Sequence, residues 1–452
     1  MAASIGTDLT EGSVCKKLLR FAAPFMLANL LQTLYNMIDA IVVGHFVGAD
    51  GLSAVSTCGE LIQFYTFIAI GFGGAGQTMI GQFIGAGERE KIRKTIGTLF
   101  TTLLLIAVGV TILCAFTWRI QLHLVKIPDD AFPMARNYFL VCACGMVFIF
   151  GYNLVSSILR GMGDSKHPLA FIAIASGLNA VLDLLFVAGF HMGTAGAALA
   201  TIIGQAVSFL FALVFLYHRK EAFGFDFKGS SFRPESGTLK VLMQLGIPMA
   251  AQGSLISISM LYVYSLINAF GVAASAANGI QLKLANVNRI VTNSVSTAGA
   301  AMIAQCIGAK KMDRAKSVFH WELVFTLLYA ACFSGLLLLF SGPVFRIFTS
   351  DANVIAFAST VCFFCSIDNF GGALRTPCNS MISGTGAAML GMFTSIMDGV
   401  VARISLSILF GNVLGMGIAG YWLGNTGAGF VSVLIGMPYC LSNAWKKKRI
   451  NL

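Results

Sequence analysis

Apolar runs of about 20 residues or more, each long enough to cross a bilayer as a helix, recur from residue 15 to residue 444. That feature removes nearly every soluble fold. A backbone in hydrocarbon has no water to bond, so its N–H and C=O groups must be satisfied within the protein. The pattern predicts twelve spans, at about 15–44, 52–84, 95–117, 136–159, 168–190, 194–217, 241–270, 274–307, 317–345, 354–384, 387–412 and 417–444. The expected fold is an all-α polytopic membrane protein. Composition agrees: only 11% of the 452 residues are charged, against roughly 25% in soluble domains, and mean hydropathy is +0.81. No stretch has the composition of a separate soluble domain. The first residues lack the short apolar core and small-residue cleavage site of a secretory signal.

A net charge of +11 raises the question of nucleic acid, and the distribution of the charge answers it. Twenty-two of the thirty Lys and Arg lie in the N-terminus, the even-numbered connections and the C-terminal tail. The other side holds four, Arg119, Lys126, Arg136 and Arg346, and four more, Lys283, Arg289, Arg375 and Arg403, fall within spans. The positive-inside rule then puts both termini in the cytoplasm. The basic excess reads as topology, with membrane lipids as partners and no nucleic acid. Eleven scattered cysteines form no disulfide framework, and Cys362-x-x-Cys365 sits on an apolar helix without partner ligands.

The chain also repeats itself at an offset of about 223 residues. Gln82-Phe-Ile-Gly-Ala86 returns as Gln305-Cys-Ile-Gly-Ala309, Gly161-Met-Gly163 as Gly384-Thr-Gly386, and Pro24 as Pro248. Six spans per copy is an even number, so the copies share one orientation. Two six-helix lobes related by a pseudo-twofold axis along the membrane normal are expected. The boundaries read as an N-lobe at 1–217, a cytoplasmic linker at 218–240 and a C-lobe at 241–452. Such a pair favours a substrate site where the lobes meet.

Two carboxylates lie inside spans. Asn29, Gln32, Asn36 and Asp39 are spaced 3, 4 and 3 apart in the first span, and Asn179 and Asp183 are four apart in the fifth. Each set shares one helical face. Thr201 adds a hydroxyl in the sixth span. A charge at membrane depth costs several kcal/mol unless it is paired, protonated or bound to a cation. Converged, these residues form an all-oxygen set suited to Na⁺. They could equally bind protons, since burial and mutual repulsion both favour the protonated carboxyl. The repeat places Tyr262 or Val263, Ala402 or Arg403, and Leu406 or Ser407 at the equivalent positions, so coupling is expected to be concentrated in the first lobe.

At this point the chain resembles the multidrug and toxic compound extrusion (MATE) transporters of bacteria. The resemblance is carried by LTEGSVCKKLLRFAAPFM at the N-terminus, LQTLYNMIDAIVVGHFVGADGLSAVS, RGMGDSKHPL at 160–169 and GLNAVLDLLFV. It implies a multi-pass protein of the bacterial plasma membrane, and export of an organic substrate by alternating access in exchange for H⁺ or Na⁺. It implies cation coupling at Asp39, Asn179, Asp183 and Thr201, and no other cofactor. Family members with a second-lobe site carry a seventh-span Glu, which this chain lacks, and a tenth-span Asp, which Asp368 matches.

Cationic, amphipathic compounds are the expected substrates, with Gln32, Tyr35, Asn36 and Asp368 as candidate cavity residues. Asp368 either serves there or pairs with Lys283, Arg289 or Arg403. Asp398 and Arg403 are expected to pair structurally. Glu60 and Lys283, at equivalent repeat positions, are candidates for an inter-lobe salt bridge. A monomer and no enzymatic activity are expected. The alternatives are a lipid-linked precursor flippase of the same superfamily or a membrane-embedded enzyme; neither a basic cleft nor a second-sphere catalytic motif is evident for them.

Overall fold

The computed structural model describes residues 7–447 and Ile450, and among these the regular structure is helical throughout. The first half contains α1 (Val14–Phe46), α2 (Ala49–Ala86), α3 (Arg89–Leu124), α4 (Phe132–Cys144), α5 (Met146–Gly161), α6 (Lys166–Asp183) and α7 (Gly193–His218). The second half contains α8 (Ser236–Asn268), α9 (Val272–Gly308), α10 (Met312–Leu339), α11 (Ala358–Gly384), α12 (Ala388–Ser395), α13 (Ile404–Ile408) and α14 (Gly417–Leu441). Ten helices, counting the continuations of α6 and α12, are long and apolar enough to cross a membrane. An eleventh span is the pair Asp129–Cys144 and Met146–Gly161, bent by 48°. The bend falls at Gly145, where a Cβ would lie 2.2 Å from Ile202 Cδ1, so the missing side chain admits α7. The twelfth is α11, 27 residues long and less apolar because it carries Asp368 and Arg375. The twelve expected spans are thus present.

Three helices run on into π-turns: Leu184–Gly189 follows Asp183 directly, Ile396–Arg403 links α12 to α13, and Leu409–Val413 follows α13. Wide turns of this kind recur at functional sites because they re-aim side chains within a span.

The chain forms two compact units. One comprises Ala23–Ala250; the other comprises Leu9–Ala22 with the chain from Ala251 onward. The chain changes unit beside Pro24 in α1 and beside Pro248 in α8, prolines that each remove a helical hydrogen bond.

Within the first unit, the segment 218–240 is packed rather than loose. Phe225 is fully buried and stacks on Phe100, while Phe232 meets Phe100 edge-on. Thr101 Oγ1 donates to the carbonyl of Phe232 at 2.5 Å, and Lys94 pairs with Glu235 at 2.8 Å. At Gly97 a Cβ would lie 1.8 Å from the Ser231 carbonyl oxygen, so only glycine lets α3 and this segment meet.

Within the second unit, the N-terminal segment is held in a comparable way. Arg314 donates to the carbonyls of Leu9, Glu11 and Gly12 at 3.1, 2.6 and 2.7 Å, and Leu9 is fully buried.

The sequence repeat is also a packing repeat. In the first unit a Cβ on Gly161 would meet Gln77 O and Ile80 Cβ, both at about 3 Å; in the second a Cβ on Gly384 would meet Ala300 O and Ile303 Cβ in the same way. Each of these partners is 223 positions from its counterpart.

Candidate functional site

α1, α6 and α7 bring the first-half polar residues together. Asp183 is fully buried, Asn179 is 2% exposed and Asp39 is 7% exposed. The Asn179 side-chain amide lies between the two helices, 2.9 Å from Asp183 Oδ2 at one end and 3.1 Å from the Thr201 backbone nitrogen at the other. Tyr35 donates its hydroxyl to Thr201 Oγ1 at 3.3 Å. Asp39 is close enough to act electrostatically on Asp183, Tyr35 and Tyr138. The spacing in the sequence placed Asp39 on one helical face and Asn179 with Asp183 on another, and the resemblance added Thr201 to them. Neither gave a sign of Tyr138, which contributes from α4.

Close helix contact makes the cluster possible. A Cβ on Gly204 of α7 would stand 3.2 Å from the Ala175 carbonyl oxygen and 3.4 Å from Asn179 Cβ. Beside the cluster lies a small open pocket, lined in part by Gln32, Tyr35, Ser176, Asn179, Thr201 and Gln205. Gln32 and Tyr35, two of the candidate cavity residues, are among those that line it. Asn36 is exposed and does not line that pocket. Ser176 and Gln205 are additions, each one helical turn from a residue already singled out (Asn179 and Thr201).

The two first-half carboxyls are poorly matched electrostatically. Asp39 Oδ1 and Asp183 Oδ1 are buried without a hydrogen-bond partner. Among the described residues, no Lys or Arg lies within ion-pairing distance of either.

The second half treats its acid differently. Asp398 Oδ1 accepts from Arg403 Nη2 at 2.8 Å, and its Oδ2 accepts from Arg375 Nη1 at 3.2 Å and from Ser432 Oγ at 3.0 Å. Arg403 also donates to the carbonyl and the side-chain oxygen of Asn425. The expected pair of Asp398 and Arg403 is present, and Arg375 joins it. At an offset of 224 Arg403 stands at the repeat position of Asn179, so here the buried acid is paired with arginine where in the first half it is not.

The remaining candidates are placed as follows. Asp368 is half-buried and forms no ion pair among the described residues. Its expected partners are engaged elsewhere: Arg403 with Asp398, Arg289 with Asn286 Oδ1 at 2.5 Å, and Lys283 over the Phe348 ring at 5.3 Å. Glu60 is exposed on α2. Among the described residues no group of three or more His, Cys, Asp or Glu is arranged to hold a metal, and this includes Cys362 and Cys365.

One acid escaped the sequence reading altogether. Glu322 of α10 is fully buried; its Oε1 accepts from Ser380 Oγ at 2.9 Å and its Oε2 has no partner. The signal was available, as a lone Glu five residues past the start of a predicted span.

Comparison with known proteins agrees with this architecture. The chain is 28% identical over 441 residues to the probable multidrug resistance protein YpnP of Bacillus subtilis, covering 96% of this chain and 94% of that protein. It is 24% identical over 450 residues to the probable multidrug resistance protein NorM of Thermotoga maritima, covering 96% and 94%. Among solved structures, an outward-facing multidrug resistance MATE family transporter of the MOP superfamily superposes with a TM-score of 0.90. It has 23% identity and covers 96% of this chain and 97% of that one. The MatE family model matches twice, at residues 24–185 and again at 248–409, which are the two copies of the repeat. A multi-pass helical membrane protein, duplicated internally and matched by that model over both copies, the chain belongs to the MatE family.

Proposed function

We propose that this protein is a secondary active antiporter that expels organic, amphipathic cations in exchange for protons by alternating access. It would work as a monomer in a bacterial plasma membrane, with both termini cytoplasmic. The two buried carboxyls without a compensating cation carry the choice of ion. A proton needs only a carboxyl oxygen, and Asp183 Oδ1 and Asp39 Oδ1 both lack a partner.

Proton binding removes charge from the cluster, and proton release restores it. A cationic substrate would be drawn to the charged form and lose that attraction on protonation. Ion and substrate then favour different states, which is the requirement for exchange. Gln32 and Tyr35 line the adjoining pocket and supply a polar and an aromatic contact. Relatives named as multidrug resistance proteins support the substrate class.

The test is efflux of a cationic dye from proteoliposomes under an imposed H⁺ or Na⁺ gradient, with Asp39→Asn and Asp183→Asn beside the wild type. The H⁺ gradient alone is expected to drive efflux, and both variants to lose that drive. Full coupling in both variants, or drive by Na⁺ without H⁺, refutes the reading.

A further inference from the structure

The two copies of the repeat also differ at a buried position away from the cluster. In the first unit Leu99 of α3 seats its Cδ2 2.4 Å from where a Cβ on Gly76 would be. In the second unit the same place, 223 residues later, holds Glu322 over Gly299, with Oε1 1.5 Å from the corresponding Cβ position. The glycine notch is common to both units, and the serine that bonds Glu322, Ser380, has Ser157 as its counterpart 223 residues earlier. A leucine fills the first notch, so the packing does not call for a carboxyl in the second. Seating one there forfeits apolar contact and takes an acid out of water.

The hydrogen bonds around Glu322 fit a neutral acid better than a carboxylate. An ionised carboxylate offers about four acceptor sites. Here a single hydroxyl, that of Ser380, is within reach, and it also lies within bonding distance of Thr376 O at 3.1 Å and Ser296 O at 3.2 Å. If Ser380 donates to either carbonyl, the only bond left to Glu322 is one that it donates itself. Oε2 has no partner. The groups facing Glu322 from its neighbours carry no positive charge: Ser296 and Gly299 on α9, Ser380 and Cys378 on α11, and Cys440 on α14. Arg375, also on α11, is turned to Asp398. Asp398 by contrast, equally buried, has two arginines.

We propose that Glu322 is a second proton-binding site, a carboxyl in the C-terminal half that exchanges one proton with water during the transport cycle. In the conformation described here the carboxyl holds the proton and is sealed from solvent. When α10 shifts from the Gly299 notch, water reaches the group; the O–H bond breaks, the proton passes to water, and the carboxylate is left hydrated. Re-seating requires that a proton be regained. Glu322 lies ten residues from the start of α10, about 15 Å along the helix from the end that carries Lys311 and Arg314. That basic end is where exchange is expected.

The inference extends the proton-coupling reading above, and its first test is independent of transport. Infrared difference spectra of the full-length protein in lipid are recorded between acid and alkaline buffer. The variants are Glu322→Gln, Glu322→Leu and Asp183→Asn. Leucine is the residue that already fills the first notch, so Glu322→Leu keeps the fold. A protonated-carboxyl band that titrates in the wild type, loses one component in both Glu322 variants and keeps that component in Asp183→Asn supports the site. A Glu322 component that stays unchanged across the pH range, or no such component at all, overturns it. In proteoliposomes, each coupled proton adds roughly one factor of ten to the substrate accumulation ratio per unit of pH gradient. Glu322→Leu is therefore expected to lose one factor of ten in the accumulation ratio per unit of pH gradient, and an unchanged dependence on the gradient overturns the coupling role.

Discussion

Removing the acid from the buried cluster of the second unit tests whether its charges are held by one another. Asp398 is fully buried, and the side chain of its partner Arg403 is 3% exposed. Asp398→Asn removes the anion that both arginines face. Breaking a buried pair costs about 3–5 kcal/mol, because an uncompensated charge is left behind. Arg375 is partly exposed and can turn to solvent, so its contribution is small. Arg403 keeps two bonds to Asn425, which holds the loss near the low end, at about 3 kcal/mol. At roughly 2–4 °C per kcal/mol for a unit of this size, the melting temperature should fall by about 6–12 °C. The assay is thermal unfolding of the purified protein in detergent. The double variant Asp398→Asn/Arg403→Gln replaces the pair with neutral groups and should recover a measurable part of the loss. A shift under about 1 °C in the single variant, or no recovery in the double, would refute the view that Asp398 exists to neutralise Arg403.

Two further outcomes concern the segment docked on α3. Gly97→Val drives a side chain into the Ser231 backbone, which cannot yield as a flexible side chain would. Overpacking of this kind costs about 1–3 kcal/mol, so limited proteolysis should cut residues 218–240 faster in the variant than in the wild type; equal rates would contradict the packing. The same docking should depend on pH through Glu235. Its carboxyl is held below the usual glutamate range, chiefly by its bond to Lys94 and then by Thr238. A depressed folded-state value means that the contribution is complete above the ordinary glutamate range and is lost as pH falls through the lower folded value. Hydrogen exchange of the segment should accelerate on acidification, and Glu235→Gln should abolish that dependence. A dependence that survives the substitution would assign it to another group.

Much of the site could be read from one-dimensional pattern. Asp39 and Asp183 stood out because a carboxyl in a span is costly. Asn179 and Thr201 followed from helical spacing and from the resemblance that the spacing prompted. The linker was read as polar and was found docked, because what binds it is not its average composition. Phe225 and Phe232 find Phe100, and Gly97 opens the gap they need. Glu322 escaped because no repeat partner and no helical companion marked it. Its counterpart is Leu99, and the glycine beneath it lies on another helix.

The sequence by itself determined the twelve spans, the duplication and the faces on which the polar residues lie. These follow from hydrophobic length and the 3.6-residue period, which are properties of each helix alone. Only the tertiary structure decided which acids are neutralised. Asp398 meets Arg375 and Ser432 across 23 and 34 residues of chain, and Glu322 meets Ser380 across 58. Helical periodicity gives the direction in which a side chain points, but not what stands opposite. The charge state of a buried carboxyl is set by what stands opposite, through the partners that replace its lost water.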